Sequence, residues 1–564
     1  MSKRILIVGG VAGGASAAAR LRRLDETAEI IIFERGDYIS FANCGLPYYI
    51  GGEIHNREDL LLQTPESFKK RFNIEVRIRN EVTAIDPENK QINIKDLGAG
   101  RTYTEPYDKL ILSPGAEPAR PPIPGIDSDR IFTLRNVPDT DLINDFIDKH
   151  KPKRAVIVGA GYIGLEMAEN LRRRGMLVAV VEMVDQVMPV MDKEMAAFIQ
   201  QELHKHNVAL WLNDAVANFR PSDSRLMVGL KSGMELSCEM VILAMGVRPE
   251  VNLARQAKLQ IGTTGGIKVN ENLQASDPDI YAIGDAIEVR DFVLGSPALI
   301  PLAGPANKQG RMVADNICGG NRQYKSTQGT AILKVFDLTV AMTGASEKAL
   351  AKTDIEYEKI YIHPANHVSY YPGAEQMHIK LLFSRPEGKI LGAQIVGSHG
   401  VDRRIDILAV AIRAGMTVFD LQELELAYAP PYGSGKDAVN MAGFVASNIL
   451  EGVAEIVHWD QLDQDDFILD VRSAGEFKRG NVPSSINIPV NEIRSRLDEL
   501  PKDTIINVYC GVGIRSYIAC RILMQKGFVA RNISGGYITY CTYQEKEVLE
   551  HPNARQLKEE FCLI

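Results

Sequence analysis

The hydrophobic positions of the first 200 residues fall into short continuous runs, each followed by a glycine-rich turn and a helical stretch. The run at 4–8 leads through such a turn into an alanine-rich helix that extends to Arg23, and another run follows at 30–33. The same sequence of features occurs again with runs at 154–158 and 177–181. Continuous apolar runs, rather than alternating ones, are typical of parallel strands buried on both faces. The pattern therefore predicts α/β domains with parallel sheets.

The second half of the chain has a different pattern. Several β-rich runs between residues 331 and 396 are followed by helices, which predicts an α+β domain. From about residue 455 an α/β pattern starts again, with apolar strands that end at Asp470 and Tyr509. A chain of 564 residues is long enough for this many domains.

The first glycine-rich turn has the spacing of a dinucleotide-binding site. Gly9 and Gly14 are its first and last glycines, while Val11 holds the middle position. Glu34 ends the next strand, 25 residues beyond Gly9, where such sites place a carboxylate on ribose hydroxyls. We assign Arg35, the next residue, to the same site.

The second glycine-rich turn matches the dinucleotide pattern throughout. Gly159, Gly161 and Gly164 permit a tight turn and bring the N-terminus of a helix to a pyrophosphate. Glu182 follows 23 residues after Gly159, at the end of the next strand, and no arginine comes directly after it. Because a carboxylate repels a 2′-phosphate, we expect NADH rather than NADPH at this site.

Two more strands run into glycine turns, at Gly115 and Gly246. They indicate the crossovers between one nucleotide-binding domain and a second one inserted into it. A strand at 280–283 then returns to the first domain and positions Asp285 for a ribityl or phosphate contact. The sequence thus predicts two nested Rossmann-like domains.

Cys44 is the candidate redox residue of the first domain. Residues 39–49 contain no second cysteine, so the thiol must react with an external thiol, persulfide or peroxide. Pro47 suits the first turn of a helix, whose N-terminal dipole is expected to lower the pKa of Cys44. The alternative is an inert buried cysteine.

Composition argues against several other classes of protein. The net charge of −8 provides no basic field for nucleic acid, and no apolar stretch approaches the ~20 residues that span a bilayer. The seven cysteines are scattered and include no Cys-x-x-Cys pair, which argues against a disulfide scaffold or a zinc site. We expect a cytoplasmic protein without a metal.

Cys510 ends an apolar strand and is separated from Arg515 by four residues. A loop of this kind points backbone N–H groups at a thiolate and at a sulfur attached to it. Protein tyrosine phosphatases have five residues between cysteine and arginine, which makes a cradle for phosphate. The shorter loop here favours a single sulfane sulfur, and it resembles that of a rhodanese domain.

Taken in order, these motifs resemble the two-dinucleotide flavoprotein disulfide reductases. The single Cys44, and the lack of a histidine between Glu425 and Asn440, resemble the coenzyme A-disulfide reductase branch in particular. The resemblance implies a FAD-binding domain at 1–118 and 245–325, an NAD-binding domain at 119–244, a dimerisation domain at 326–452 and a rhodanese domain at 455–564.

The resemblance also implies the ligands and the assembly. FAD would occupy the first nucleotide site and NADH the second, in a homodimer whose partner subunit supplies two tyrosines near Cys44. By position these are Tyr370 and Tyr428. The alternative for both is ordinary packing of aromatic side chains.

Coenzyme A is the expected substrate or bound thiol. Arg20 and Arg23 lie on one helix face and could pair with its 3′-phosphate-ADP group, although they could also merely complement the helix dipole. Ser40, Asn43 and Arg71 match family positions that line the same pocket. Phe72, in contrast, stands where some members have a lysine.

The implied reaction takes electrons from NADH through FAD to Cys44 and then to a sulfur substrate. Cys510 would accept sulfane sulfur and pass it to a carrier thiol, which makes polysulfide or coenzyme A persulfide the natural target. One alternative is an NADH peroxidase or oxidase, but such enzymes carry a histidine where this chain has Ala12. Another is a sulfur carrier or redox sensor.

Overall fold

The computed structural model describes residues 3–544 and 558–562. The described chain forms two compact units, of which the first comprises the chain up to Met183, Leu210–Gly329 and the chain from Glu560. The second unit comprises Val184–Ala209 and Thr330–Glu559.

Helices occur in both units. Up to residue 544 they are α1 (Ala12–Leu24), α2 (Leu46–Gly51), α3 (Pro65–Phe72), α4 (Val137–His150), α5 (Tyr162–Arg173), α6 (Lys193–Lys205), α7 (Asn252–Gln256), α8 (Ala303–Ile317), α9 (Glu347–Leu350), α10 (Val401–Ala414), α11 (Val418–Glu423), α12 (Ala438–Leu450), α13 (Ala474–Arg479), α14 (Ile514–Gln525) and α15 (Gly536–Tyr543).

The strands before residue 330 form parallel sheets and short antiparallel ones. They are β1 (Arg4–Val8), β2 (Glu29–Phe33), β3 (Glu75–Arg77), β4 (Asn80–Asp86), β5 (Gln91–Asp96), β6 (Thr102–Pro106), β7 (Lys109–Leu112), β8 (Ala116–Pro118), β9 (Ile131–Phe132), β10 (Arg154–Val158), β11 (Leu177–Val181), β12 (Val208–Trp211), β13 (Val216–Ser222), β14 (Arg225–Leu230), β15 (Glu235–Cys238), β16 (Met240–Leu243), β17 (Val247–Pro249), β18 (Ile280–Ala282), β19 (Val289–Arg290) and β20 (Pro297–Ala298).

The first parallel sheet has the strand order β18-β7-β1-β2-β3. Its central strands are buried at nearly every position, as the continuous apolar runs predict. Strand β18 joins this sheet beside β7, although almost 170 residues separate the two in the chain. The predicted return of the chain to the first domain is therefore confirmed.

The second parallel sheet has the order β12-β11-β10-β16-β9. The two segments that connect it with the first sheet, β8 and β17, pair with each other as an antiparallel ribbon. The prediction of one Rossmann-like domain nested inside another is thus confirmed. The three-stranded antiparallel sheets β4-β5-β6 and β13-β14-β15 are additions that the sequence analysis did not anticipate.

The second unit holds an antiparallel sheet and a parallel one. Their strands are β21 (Ala331–Val335), β22 (Leu338–Gly344), β23 (Tyr357–Ile362), β24 (Met377–Ser384), β25 (Ile390–Gly397), β26 (Ile456–Val457), β27 (Phe467–Asp470), β28 (Ile486–Asn487), β29 (Ile506–Tyr509) and β30 (Ala530–Ile533).

The order β21-β22-β25-β24-β23, with α10 packed against β22 and β25, is the predicted α+β domain. The order β26-β30-β29-β27-β28 is the predicted C-terminal α/β domain, in which every observed pairing is parallel. The fold class inferred from the sequence is therefore confirmed in both units.

Candidate active sites

The turn between β1 and α1 has the close backbone contacts of a dinucleotide-binding turn. Gly9 has a φ of +94°, and a Cβ there would lie 2.1 Å from the carbonyl oxygen of Ser113. A Cβ on Gly14 would lie 1.9 Å from Gly9 O, so α1 can approach the turn only with glycine at this position. Glu34 directly follows β2 and lies against the same turn, where its Oε2 accepts a hydrogen bond from Gly10 N at 3.0 Å.

The turn between β10 and α5 repeats these contacts. Gly159 has a φ of +104°, and a Cβ on Gly164 would lie 2.0 Å from Gly159 O. Glu182 Oε2 accepts a hydrogen bond from Ala160 N at 2.8 Å, in the position that Glu34 has in the first turn. Among the described residues no atom would lie within 4 Å of a Cβ on Gly161, the N-cap of α5, so a phosphate can approach the helix there. Both turns fit a dinucleotide.

Arg35 lies at the crossover between the two nested domains. It forms ion pairs with Glu117 at 2.7 Å and Glu250 at 2.9 Å, carboxylates that belong to or follow the ribbon of β8 and β17. Gly115 and Gly246, which precede these two strands, have φ values of +79° and +86°. The structure therefore shows Arg35 bound to carboxylates, close to the turns that the sequence singled out.

Cys44 lies in a short 3-10 helix, Asn43–Gly45, directly before α2. Its side chain is accessible to solvent, yet neighbouring atoms partly remove the thiol from water, and this desolvation raises its pKa. The carboxylates of Glu166 and Asp285 raise the pKa further. The predicted lowering of this pKa by a helix dipole is therefore wrong, because α2 has only six residues and two carboxylates oppose the thiolate.

Glu166 is a site residue that the sequence analysis did not assign. It lies in the first turns of α5, and its Oε1 accepts a hydrogen bond from Tyr48 Oη at 3.3 Å. Burial raises the pKa of Glu166 to about 7, so it titrates near neutral pH. Its position directly after Gly164-Leu165 in the second glycine motif could have identified Glu166 in the sequence. Its burial, which shifts its pKa, depends on the fold and could not be predicted.

The residues expected to bind coenzyme A occupy two parts of the first unit. Arg20 forms an ion pair with Asp315 of α8 at 2.7 Å, and Asp315 also lines a groove of about 520 Å³ with Arg311 and Arg322. Ser40 is tied to the first glycine turn, since its backbone N donates to Gly10 O at 2.9 Å. Asn43 starts the 3-10 helix that carries Cys44.

The other two expected ligands, Arg23 and Arg71, are exposed at the C-terminal ends of α1 and α3. Arg22 joins these ends, because its Nε donates to Phe72 O at 2.8 Å. Phe72 itself packs against the core.

Tyr370 and Tyr428 meet in the second unit, although 58 residues separate them in the chain. Their hydroxyl oxygens are 2.9 Å apart, and the side chains are exposed, with Tyr370 at 73% and Tyr428 at 48%. The hydrogen bond to Tyr370 raises the pKa of Tyr428. The pair therefore presents two hydroxyl groups at the surface of its unit.

The loop from Cys510 to Arg515 joins β29 to α14. Cys510 is fully buried, and its Sγ accepts hydrogen bonds from Gly513 N at 3.2 Å and Ser516 Oγ at 3.5 Å. Arg515 forms a bidentate ion pair with Glu476, and its guanidinium also interacts electrostatically with Cys510. The predicted arrangement, backbone N–H groups turned toward the sulfur, is present at Gly513.

Two groups of described residues have the ligand types of a metal site. Glu202, His206 and Asp337 form one, and both carboxylates also contact Lys205. Asp192, Glu194 and Glu347 form the other, and the ammonium group of Lys380 lies among them. Each group thus already has a lysine as its cation.

Among the residues that the structure describes, none of the helices combines the length and apolar character that crossing a bilayer requires.

Comparison with known proteins accounts for nearly the whole chain. Residues 3–310 match the model of the pyridine nucleotide-disulphide oxidoreductases, residues 330–438 match the dimerisation domain of that family, and residues 456–541 match the rhodanese-like domain.

Named relatives agree with these matches. The coenzyme A disulfide reductase of Staphylococcus haemolyticus is 38% identical over 79% of this chain and 100% of its own. The crystal structure of reduced Bacillus anthracis CoADR-RHD has a TM-score of 0.95 and 52% identity, covering 97% of this chain and 98% of that one. A NAD-dependent persulfide reductase from A. fulgidus has a TM-score of 0.91 and 38% identity, covering 95% and 100%. This chain therefore belongs to the pyridine nucleotide-disulphide oxidoreductase family, which implies FAD and NAD(H) as cofactors, and it carries a rhodanese-like domain at its C-terminal end.

Proposed function

We propose that this protein uses NADH to reduce coenzyme A persulfide, polysulfide and coenzyme A disulfide through Cys44, and that its rhodanese domain supplies the sulfane sulfur. One observation carries the proposal. A reductase with a single redox cysteine is joined in one chain to a loop that holds a second cysteine for one sulfur atom. The named activities of the relatives, coenzyme A disulfide reductase and persulfide reductase, support it.

Cys44 acts as the nucleophile in this proposal. Its thiolate attacks one sulfur of a disulfide or persulfide, the substrate S–S bond breaks, and a mixed disulfide with Cys44 forms while a thiolate leaves. Two electrons then cleave the mixed disulfide and regenerate Cys44. FAD, when bound, supplies the relay of those electrons from the nicotinamide.

The nucleotide sites follow from the two glycine turns. FAD is assigned to the turn with Gly9, Gly14 and Glu34, together with Arg35, Gly115 and Asp285. NADH is assigned to the turn with Gly159, Gly161, Gly164 and Glu182, followed by Gly246. We propose domain boundaries at 1–118 with 245–325, then 119–244, 326–452 and 455–564, as the sequence predicts.

The hydrogen-bonded tyrosines serve as the proton donor. Tyr428 and Tyr370 are hydrogen-bonded through hydroxyl groups 2.9 Å apart, and either can protonate the thiolate that leaves the substrate. The resemblance assigns this pair to the partner subunit of a cytoplasmic homodimer. Coenzyme A is held by Arg20, Arg23, Ser40, Asn43 and Arg71.

Rapid mixing of the NADH-reduced protein with different acceptors tests the proposal. We expect flavin absorbance to recover fastest with coenzyme A persulfide or disulfide, and the full-length Cys44→Ser variant to bind FAD but lose this reaction by more than about a thousandfold. Fast recovery with hydrogen peroxide or oxygen, and none with sulfur acceptors, would instead identify a peroxidase or oxidase.

A further inference from the structure

An ion pair at the rim of the Cys510 loop neutralises the arginine of that loop. Arg515 Nη1 and Nη2 donate to the two carboxylate oxygens of Glu476 at 2.8 and 2.7 Å. In this bidentate geometry the guanidinium and the carboxylate form two parallel hydrogen bonds, which is the strong form of this pairing. Glu476 therefore offsets the positive charge of a guanidinium that also interacts with Cys510.

Glu476 is also fixed by a second set of hydrogen bonds. Its Oε2 accepts from the backbone N and the hydroxyl of Ser473, at 3.0 and 2.8 Å, in the capping box that starts α13. The bond from Arg515 and those from Ser473 hold the pKa of Glu476 well below its ordinary value. At neutral pH its carboxylate is charged and cancels the charge of Arg515.

A second arginine beside the loop is neutralised in the same way. Arg472 lies 4.1 Å over the ring of Tyr537, whose backbone N donates to Cys510 O at 2.7 Å. Its guanidinium forms a buried bidentate pair with Asp470, in which Nε donates to Oδ1 at 3.1 Å and Nη2 to Oδ2 at 2.6 Å. Both arginines beside the loop are thus already paired with a carboxylate.

The helix that follows the loop adds apolar surface. Ile514 and Ile518 lie one turn apart on α14 and are 57% and 44% exposed. Exposed isoleucine favours contact with an uncharged chain rather than with a strongly hydrated anion. The rim of the loop, formed by Glu476, Arg515, Ile514 and Ile518, therefore combines paired charges with exposed apolar side chains.

We propose that Cys510 takes its sulfur from the persulfide of an organic thiol on an uncharged arm, that it discriminates against thiosulfate, and that Glu476 sets this preference. The idea rests on the proposed sulfur-accepting role of Cys510. The Cys510 thiolate attacks the outer sulfur of R–S–SH, the S–S bond breaks, and R–SH leaves with the proton, so that Cys510 holds a persulfide anion. The same attack on thiosulfate expels sulfite, and the rim would then have to accommodate a dianion without a free cation.

Sulfur transfer to cyanide by the full-length protein, without NADH, tests this preference separately from the reductase reaction. The donors are N-acetylcysteamine persulfide, whose arm is uncharged, and thiosulfate. We expect wild type to have the higher kcat/KM with the persulfide. In Glu476→Gln the ratio of thiosulfate to persulfide kcat/KM should rise about tenfold, because the rim gains one net positive charge, and added salt should reduce the gain.

Two variants serve as controls. Glu476→Asp keeps the charge, and Glu499→Gln removes a carboxylate that pairs with Arg496 instead, at 2.7 Å; both should keep the wild-type ratio. A parallel loss of both donor activities in Glu476→Gln, the result expected of a damaged loop, would overturn the proposal. An unchanged ratio would overturn it as well. Neither result bears on NADH-dependent reduction at Cys44.

Discussion

The charge on Cys44 depends on carboxylates that approach it in the folded first unit. Desolvation raises the pKa of the thiol, and Glu166 and Asp285 add to the effect because each disfavours a neighbouring negative charge. Glu166 has its own pKa at about 7, since it is buried. Below that pH it becomes neutral and no longer opposes the thiolate.

Glu166→Gln is expected to move the pH dependence of Cys44 reactivity toward lower pH. Removing the negative charge favours the thiolate, so the pKa of Cys44 falls. The variant should react about threefold faster than the parent between pH ~7, where Glu166 ionises, and the pKa of Cys44, and equally fast well below and well above this range. The measurement is the rate of iodoacetamide alkylation of the reduced holoenzyme in a Cys510→Ser background.

Glu66→Gln, which removes an exposed carboxylate on α3, is the matched control and should leave the pH profile where it was. A Glu166→Gln profile that coincides with the parent profile would show that Glu166 does not control the thiol.

Single residues differ in how far sequence alone could reveal them. Cys44 and Cys510 could be found because each stands at a strand end in a recognisable local pattern. The pKa of Cys44 could not be predicted, since its shift comes from desolvation in the folded unit and from Glu166 and Asp285, which are 122 and 241 residues away in the chain. The lowered pKa expected from a local helix dipole failed for this reason.

Among the elements of the second unit, two loops bring the tyrosines together. Val368 N donates to Gly433 O at 3.1 Å and ties the loop before β24 to the loop after α11. Arg403 of α10 binds Ala427 O at 2.8 Å and holds the second loop. These backbone contacts position the Tyr370–Tyr428 hydrogen bond.

Tyr428→Phe is expected to lower turnover with coenzyme A disulfide by about a hundredfold, since a general acid contributes roughly that much or more. If the two hydroxyls act as one unit, adding Tyr370→Phe should cost little more. Steady-state NADH oxidation gives both numbers. Tyr432→Phe, on the same loop and 71% exposed, is the control and should retain wild-type turnover. If the losses of turnover caused by Tyr428→Phe and Tyr370→Phe multiply in the double variant, the two hydroxyls do not act as one unit.

The strands and helices themselves were largely predictable. Buried parallel strands such as β1 and β10 appear as unbroken apolar runs, so the pattern located them within about one residue. The antiparallel sheet β4-β5-β6 was missed because its strands are partly exposed and its residues alternate in burial. The contact between the loops that carry Tyr370 and Tyr428 could not be predicted either, because no local sequence pattern indicates it.

For the whole molecule, the order of the motifs along the chain predicted the succession of domains. It did not predict how the last two domains pack against each other in the second unit. The rhodanese-like domain is bound to the neighbouring antiparallel sheet through buried polar groups. His363 Nε2 lies 2.9 Å from Thr539 Oγ1, and Tyr361 N donates to Ser534 Oγ at 3.1 Å. These contacts link residues more than 170 positions apart, so no sequence pattern reveals them.

This packing bears on how sulfur would pass from Cys510 to the reductase. Lys359 of β23 also pairs with Asp460 at 3.2 Å, which adds a charged contact to the same interface. With the rhodanese-like domain held in this way, a small carrier thiol is better suited to move sulfur than the domain itself. Cys510 would then load the carrier without taking part in the chemistry at Cys44.

Cys510→Ser is therefore expected to keep most NADH-dependent reduction of preformed coenzyme A disulfide or persulfide, within about twofold of wild type. With N-acetylcysteamine persulfide and free coenzyme A, where sulfur must first be collected, the rate should fall at least about tenfold. Cys44→Ser should lose both activities, and mixing the two variants should restore the reaction with N-acetylcysteamine persulfide if the carrier diffuses between molecules. Equal loss of both activities in Cys510→Ser would place Cys510 in the flavin-site chemistry and end the relay model.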